Sequence, residues 1–382
     1  KFRRHLSLSS LRPAIPSPED QSVPDGGSGG PPASRRVQGS ALAGVRGRSP
    51  CRGSGQRPDT PDITMEVRRA MPHAVFLRHF AGYDAPELDA VVAELLTFTG
   101  CPVGRGDTVL VKPNLVAPRN MALSCSEPRV VRAVCRHLLA LGAIVTVADS
   151  PAFGTGRIMA RLSGLTEALA GLPVTVTSLN EPRQVRLAHE GRIGISRLAL
   201  EANHIVSVAR FKCHDQMGMT LAVKNFFGCV CGFRKSLAHQ RLGRDRGRFA
   251  RMILDVLAAL PPTTSLLDGI TAMHKHGPAY GEAFPLGMLA AAANPVALDT
   301  AIYTRFGLAP GDIPLWAQAN ALGLPGAKAE DLVFPMERPD AFDIAGFELP
   351  ATLAPLCFEP KRFVTGRLRS LMLTFSRTPR SR

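Results

Sequence analysis

Hydrophobic residues begin to fall into regular patterns at Ala74 and lose them after Leu324. Val75-Phe76-Leu77 is a short strand candidate. From Ala85 to Phe98 apolar residues recur at helical spacing, at Leu88, Val91, Val92, Leu95 and Leu96. Thr108 to Lys112 and Ala143 to Ala148 are continuous apolar runs of the kind buried on both faces of a sheet. Val174–Thr177 and Ile205–Ala209 follow the same style. Between the first two runs, Pro128 to Leu141 reads as a helix, with proline in the first turn and Gly142 as the stop. Further on, the pattern predicts a helix over 248–260, strands at 265–268 and 286–292, and helices over 295–306 and 313–322. Strands alternating with helices predict an α/β fold, a mostly parallel sheet covered by helices on both faces, built as one body or as two Rossmann-like lobes.

The two ends of the chain have a different texture. Residues 1–64 are rich in Pro, Gly, Ser and Arg and lack hydrophobic periodicity, so they cannot bury enough apolar surface to order themselves. They read as a disordered extension with a faint transit-peptide character at Lys1–Leu6, and Met65 and Met71 are candidate starts. The domain is expected over 71–324, followed by an irregular segment, 325–382. The tail of that segment, from Lys361, sets Phe363, Leu368, Leu371, Met372 and Phe375 among arginines. A frayed terminus or a basic amphipathic helix on an anionic surface would both look this way.

Charge changes the picture less than its total suggests. The formal net charge is +15, but residues 1–64 carry +5 and residues 361–382 carry +7, which leaves +3 for the rest. The basicity is in the ends, and no nucleic-acid module stands between them, so no nucleic-acid partner is expected. The 8 cysteines are irregularly spaced, without a zinc-type CxxC pair or a ferredoxin run. They read as reduced thiols of a cytoplasmic protein. No apolar run reaches the roughly 18 residues a membrane helix needs.

In a doubly wound sheet, ligands gather at the carboxyl ends of the strands. Lys112-Pro113-Asn114 ends one strand with a cation and an amide, suited to an anion or to a nearby acid. Asp149-Ser150-Pro151 ends the next, followed by the glycine-rich Gly154-Thr155-Gly156. That turn lacks the spacing of a dinucleotide or P-loop fingerprint. Asp149 could orient a cation or cap its own turn. The densest stretch is Lys212-Cys213-His214 leading to Lys224-Asn225-Phe226-Phe227-Gly228-Cys229-Val230-Cys231. On an extended backbone Lys212 and His214 face one way, and Lys224 shares a helical face with Thr220 if that segment is helical. Two cations, an imidazole and an amide suit binding an anion and moving a proton. Cys229 and Cys231 form a CxC, with Cys213 as a third potential metal ligand. The alternative is two small buried apolar residues. Asp268-Gly269 reads as a strand end. Beyond it, His274 and His276 would point the same way on extended backbone, where His239 and Asp299 could complete a metal site.

These residues resemble the DUF362 family, a domain of unknown function. The resemblance runs in order through Val109–Asn114, Asp149-Ser150, Lys212-Cys213-His214, Lys224–Cys229, Asp268-Gly269 with Gly277-Pro278, and Asn294–Asp299. It implies a cytoplasmic α/β domain often associated with iron–sulfur proteins, although this chain lacks their ferredoxin-like module. It also supports Lys112, Asp149, Lys212, His214, Lys224, Asn225, Asp268 and Asp299 as the polar set, without assigning roles.

The residues as read favour an enzyme acting on a small anion. His214, Lys224 and Lys212 would be catalytic, and Lys112, Asn114, Asp149, Asn225, Asp268 and Asp299 would bind substrate. A redox version would take electrons from a ferredoxin-type donor. The alternatives are a metal- or iron–sulfur-binding protein using Cys229, Cys231, His274 and His276, and a non-catalytic anion-binding module.

Overall fold

A computed structural model describes residues 73–356. The extension 1–64 and the basic tail from Lys361 lie outside the described residues.

The chain enters through β1 (Phe76–His79) and α1 (Leu88–Phe98), then lays down three successive strands of one sheet. These are β2 (Thr108–Pro113), β3 (Ile144–Asp149) and β4 (Thr175–Ser178). The short helix α2 (Met121–Ser124) and helix α3 (Pro128–Ala140) join the first two; α4 (Gly156–Leu162) and α5 (Leu165–Ala168) join the last two. A two-stranded ribbon, β5 (Pro182–Arg186) with β6 (Arg192–Ser196), and a short α6 (Arg197–Glu201) lead to β7 (His204–His214). After it come β8 (Gly218–Thr220), α7 (Ala222–Asn225), α8 (Arg234–Leu242), α9 (Arg246–Ala258) and β9 (Thr263–His274). The chain closes with β10 (Glu282–Phe284), β11 (Met288–Ala292), α10 (Pro295–Arg305) and α11 (Pro314–Ala321).

Among the described residues the main sheet has 9 strands in the path β1-β11-β9-β7-β2-β3-β4, with β10 on β9 and β8 on β7. The strands form one continuous sheet and not two lobes. Its centre, from β9 to β4, is parallel; β11 and β1 are antiparallel additions at one side. From β2 the chain moves outward through β3 and β4, then returns to build β7 and β9 on the other side of β2. The boundary between β2 and β7 is therefore the point where strand order reverses, and it opens a crevice at the strand ends.

Alternation along the strands divides the core in two. Leu110, Ala148, Ile205, Ala209 and Leu267 face the helices α9, α10 and α11. Val109, Val111, Val145, Val147, Val206 and Val208 face α1 and α3. Both faces are covered, which is why these strands read as uninterrupted apolar runs.

Several boundaries differ from the sequence pattern. Helix α9 starts at Arg246, because the Asp245 carboxylate accepts from the Arg248 amide at 3.0 Å and caps the first turn. Strand β7 runs past Ala209 as far as His214, because β8 folds back antiparallel and pairs Lys212 with Thr220 and His214 with Gly218. Thr220 is thus in a strand and shares no helical turn with Lys224. Beyond Leu324 the backbone is irregular, but it stays on the domain. The Val75 amide donates to the Val333 carbonyl at 2.9 Å, the Lys275 amide donates to the Glu348 carbonyl at 2.8 Å, and Phe342 is buried in the core.

Candidate functional site

Lys112 is fully buried at the end of β2, and its ammonium pairs with the Asp149 carboxylate at the end of β3, at 2.7 Å. A buried charge needs such a partner and more hydrogen bonds. Lys112 Nζ also donates to the Pro113 carbonyl and to Asn225 Oδ1, each at 3.0 Å. The second oxygen of Asp149 accepts from the Leu115 amide at 2.8 Å. Asn114 Nδ2 donates to the same Asn225 oxygen at 2.8 Å, and Asn225 Nδ2 donates to Ser207 Oγ at 2.9 Å. Asn225 thus ties the end of β2 and the first half of β7 to the turn that follows α7.

That turn, Phe226–Cys229, presses directly on the ion pair. A Cβ at Gly228 would lie 2.3 Å from Lys112 Nζ and 2.4 Å from Asp149 Oδ1, so only glycine admits the contact. The glycine of the Lys-Asn-Phe-Phe-Gly-Cys block is a packing requirement of the site.

Lys212 and His214 stand on the same side of β7, as period-2 alternation requires. Lys212 Nζ donates to Asn114 Oδ1 and to the Ser124 carbonyl. Burial pushes its ammonium down to about 7, with Lys224 and Arg210 acting in the same direction. Burial, reinforced by Lys224 and Lys212, holds the His214 imidazole well below its usual range. His214 is therefore neutral at physiological pH. Its Nδ1 faces the Gln216 amide at 3.2 Å and accepts from it, which leaves the proton on Nε2.

Two residues that the sequence reading did not place here complete the set. Helix α8 presents Lys235 and His239, four residues apart and so on one face. The segment is too polar to announce itself by hydrophobic periodicity; that spacing was its one available signal. Lys235 donates to the Ser150 carbonyl, and burial pushes its ammonium down to about 8. Lys224 is likewise pushed to about 8 by burial and by Lys235, and its ammonium makes no hydrogen bond or ion pair among the described residues. His239 packs against Phe227 and Phe249; burial, then Lys224 and Lys235, push it to about 4.

All these groups line one cleft of about 710 Å³ at the switch point, a volume that fits a small-molecule site. It contains Lys112, Asn114, Asp149, Lys212, His214, Lys224 and Asn225, with Lys235, His239, Arg157 and Arg234 around them. Cations outnumber carboxylates, and one carboxylate, Asp149, is already committed to Lys112.

Two expected site residues lie elsewhere. Asp268 is in the middle of β9, not at its end. Its carboxylate pairs with Arg210 and accepts from the Tyr83 hydroxyl at 2.8 Å, a buried structural network outside the cleft. Asp299 accepts from the Ala222 and Val223 amides at 2.8 and 3.1 Å, which holds the start of α7 and so positions Lys224 and Asn225 from behind. Burial pushes its carboxyl up to about 8.

The expected metal ligands do not assemble. Lys275, between the two histidines, has a φ of 65°, so the extended alternation breaks there. His274 is buried against Phe284 and Phe347, whereas His276 is 70% exposed beside Asp215. Cys213 points away from Lys212 and His214 and donates to the Glu348 carbonyl at 3.4 Å. Burial raises the Cys229 thiol to about 12 and also raises Cys231, which alone of the three cysteines lines the cleft. Among the described residues no group of three or more His, Cys, Asp or Glu is placed to hold a metal ion. A four-thiolate cluster does not fit this set.

Comparison with known proteins places the chain. It is 32% identical over 314 residues to the Thylakoid-associated protein sll1697 of a Synechocystis species, covering 81% of this chain and 98% of that protein. Two solved structures align more loosely. One is a Thermotoga maritima protein, 14% identical with a TM-score of 0.36, covering 54% of this chain and 55% of that one. The other is the lactate racemase apoprotein of Thermoanaerobacterium thermosaccharolyticum, 12% identical with a TM-score of 0.40, covering 59% of this chain and 55% of that one. Residues 109–304, which hold β2, β7, the Lys224–Cys229 block and the helix carrying Asp299, match the family described as a domain of unknown function, DUF362. With that match and the cyanobacterial relative together, the chain belongs to the DUF362 family.

Proposed function

We propose that this protein is an enzyme that holds a small molecule by its carboxylate or phosphate and exchanges a proton with it through Lys212. One observation carries the reading. Three lysines, Lys212, Lys224 and Lys235, converge on a cleft whose nearest carboxylate is already paired, and all three are pushed toward neutrality. An anion entering the cleft supplies the charge they lack. Lys224 and Lys235 are the cradle. Lys212, with an ammonium near 7, gives or takes a proton at little cost near neutral pH. His214 offers an Nε2 proton as a hydrogen-bond donor to the substrate and is not the base. Lys112, Asn114, Asp149 and Asn225 hold the floor of the cleft in shape.

This acid–base reading is preferred to a redox one with an external ferredoxin-type donor, because the groups gathered here exchange protons. Cys125, Cys135, Cys213, Cys229 and Cys231 carry free thiols, which supports a reducing, cytoplasmic setting. No described helix is long and apolar enough to cross a membrane. The thylakoid association in the relative's name fits a peripheral contact.

The test is calorimetric titration of inorganic phosphate and a panel of small carboxylates into the full chain. Lys224→Ala should weaken phosphate by roughly 10- to 100-fold, the worth of a charge-assisted hydrogen bond. Equal affinity in the variant would end this reading of the cleft. Carboxylates that bind but neither turn over nor exchange carbon-bound hydrogen with deuterated water would assign the non-catalytic module instead.

A further inference from the structure

The cationic cleft is wider than one small anion needs. It crosses the ends of four neighbouring strands, β7, β2, β3 and β4, and at about 4.8 Å between strands that is roughly 14 Å from side to side. Lys212, His214 and Lys224 belong to the β7 side. The β4 side has its own lining, which includes Thr155, Arg157, Ser178, Asn180, Glu181 and Arg234. Arg157 is placed by its amide, which donates to Ser178 Oγ at the end of β4 at 3.1 Å. Arg234 is placed by the two-stranded ribbon. A Cβ at Gly194 would lie 2.5 Å from Arg234 Cδ and 3.0 Å from Pro182 Cβ, so the arginine stem occupies the gap that the glycine leaves beside the first residue of β5.

Among the described residues two carboxylates line the cleft, and neither serves these arginines. Asp149 pairs with Lys112, and Glu181 accepts from Arg197 Nε at 2.7 Å, a residue that does not line the cleft. The guanidiniums of Arg157 and Arg234 make no hydrogen bond or ion pair among the described residues; that of Arg234 lies 4.9 Å from the centre of the Phe233 ring. One anion held by Lys224 and Lys235 therefore leaves both arginines uncompensated. Guanidinium forks are the groups that grip carboxylate and phosphate through paired hydrogen bonds.

We propose that the substrate carries two anionic groups at opposite ends: one sits among Lys212, Lys224 and Lys235, and the second, a carboxylate or phosphate, is gripped by Arg157 and Arg234 at the β4 side. This inference rests on the anion-binding reading above and adds the second charge. Lys235, which donates to the Ser150 carbonyl just past β3, lies between the two ends.

The experiment is titration of the full chain with inorganic phosphate, then with alkane bisphosphonates from ethane to octane, each against the alkyl phosphonate of the same length. The two ligands of a pair share their carbon chain, so their ratio isolates the second charge. At the length that bridges the cleft the bisphosphonate should bind roughly 10- to 100-fold tighter, the worth of a charge-assisted hydrogen bond and well above the about twofold that two equivalent ends give by statistics. Joint replacement, Arg157→Gln with Arg234→Gln, should bring that ratio down to the statistical value. Arg157 is exposed and Arg234 half-buried, so little of the fold rests on either. Arg157→Gln alone repeats the test if the double variant melts early. If inorganic phosphate binds but the ratio stays near twofold at every length, the second charge is wrong and the anion site stands. A large ratio that survives in the double variant refutes the two arginines as its holders. If no phosphate binds at all, both readings fall.

Discussion

Replacing Gly228 by alanine adds one methyl group where the turn after α7 meets the Lys112–Asp149 pair. The new carbon would lie 2.3 Å from Lys112 Nζ, 2.5 Å from Lys112 Cε and 2.4 Å from Asp149 Oδ1. A flexible lysine on a surface would swing aside. This one is fully buried and fixed by the carboxylate, the Pro113 carbonyl and Asn225. Either the turn moves away or the ion pair opens. Overpacking a core in the first way costs about 1–3 kcal/mol. Opening a buried pair costs about 3–5 kcal/mol. Because the φ of Gly228 is not in the left-handed region, no conformational strain adds to the steric cost. A loss of about 3 kcal/mol corresponds to a melting point lower by roughly 5 °C in a domain of this size. Gly82 is the control, since a Cβ there meets nothing within 4 Å and the backbone is unstrained. Thermal and urea unfolding of Gly228→Ala, Gly82→Ala and the unchanged chain decide the matter. If the two variants unfold together, the glycine is not needed for close approach and the geometry of the cleft floor is misread.

Two further outcomes follow from the same groups. Lysines with ammonium values lowered to about 7 (Lys212) and about 8 (Lys224, Lys235) bind fewer protons when folded than when unfolded, so their contribution to stability grows with pH from about 7 upward, opposed up to about pH 8 by Asp299, whose raised carboxyl keeps its proton in the folded chain. Buried Cys135, Cys213 and Cys229, raised to about 12, bind more protons when folded once unfolded thiols begin to ionise. The urea midpoint should therefore rise between about pH 8 and 9, once Asp299 has ionised, and turn over only near about pH 9.5; a midpoint falling between about pH 8 and 9 would contradict the buried-lysine reading. Asp268→Asn leaves Arg210 buried without its counter-charge and should cost about 3–5 kcal/mol in urea unfolding. Its phosphate affinity should stay within about twofold of the unchanged chain, and a larger change would return Asp268 to the site.

The sequence alone determined the α/β class, because strands covered on both faces must be continuously apolar and their helices must show a 3.6 period. It also determined the chemical types at the strand ends, since Lys112, Asn114, Asp149, Lys212, His214, Lys224 and Asn225 follow or end apolar runs, and ligand edges lie there. It could not say which strands are neighbours. Only the pairing of β2 with both β3 and β7 brings Lys112 against Asp149 and Lys212 against Asn114, across separations along the chain that no local pattern records. The same pairing removes Asp268 from the site, because β9 runs on past it to His274 and Arg210 on the neighbouring strand takes its charge. A single left-handed residue, Lys275, undoes the shared direction of His274 and His276, and φ at one position is not readable from composition. Helix α8, in which polar residues outnumber apolar ones, enters the cleft with Lys235 and His239 only because the turn at Phe226–Cys229 delivers it there. Residue types are local, whereas a site is a set of distances. Distances between residues far apart in the chain are set by packing the whole sheet.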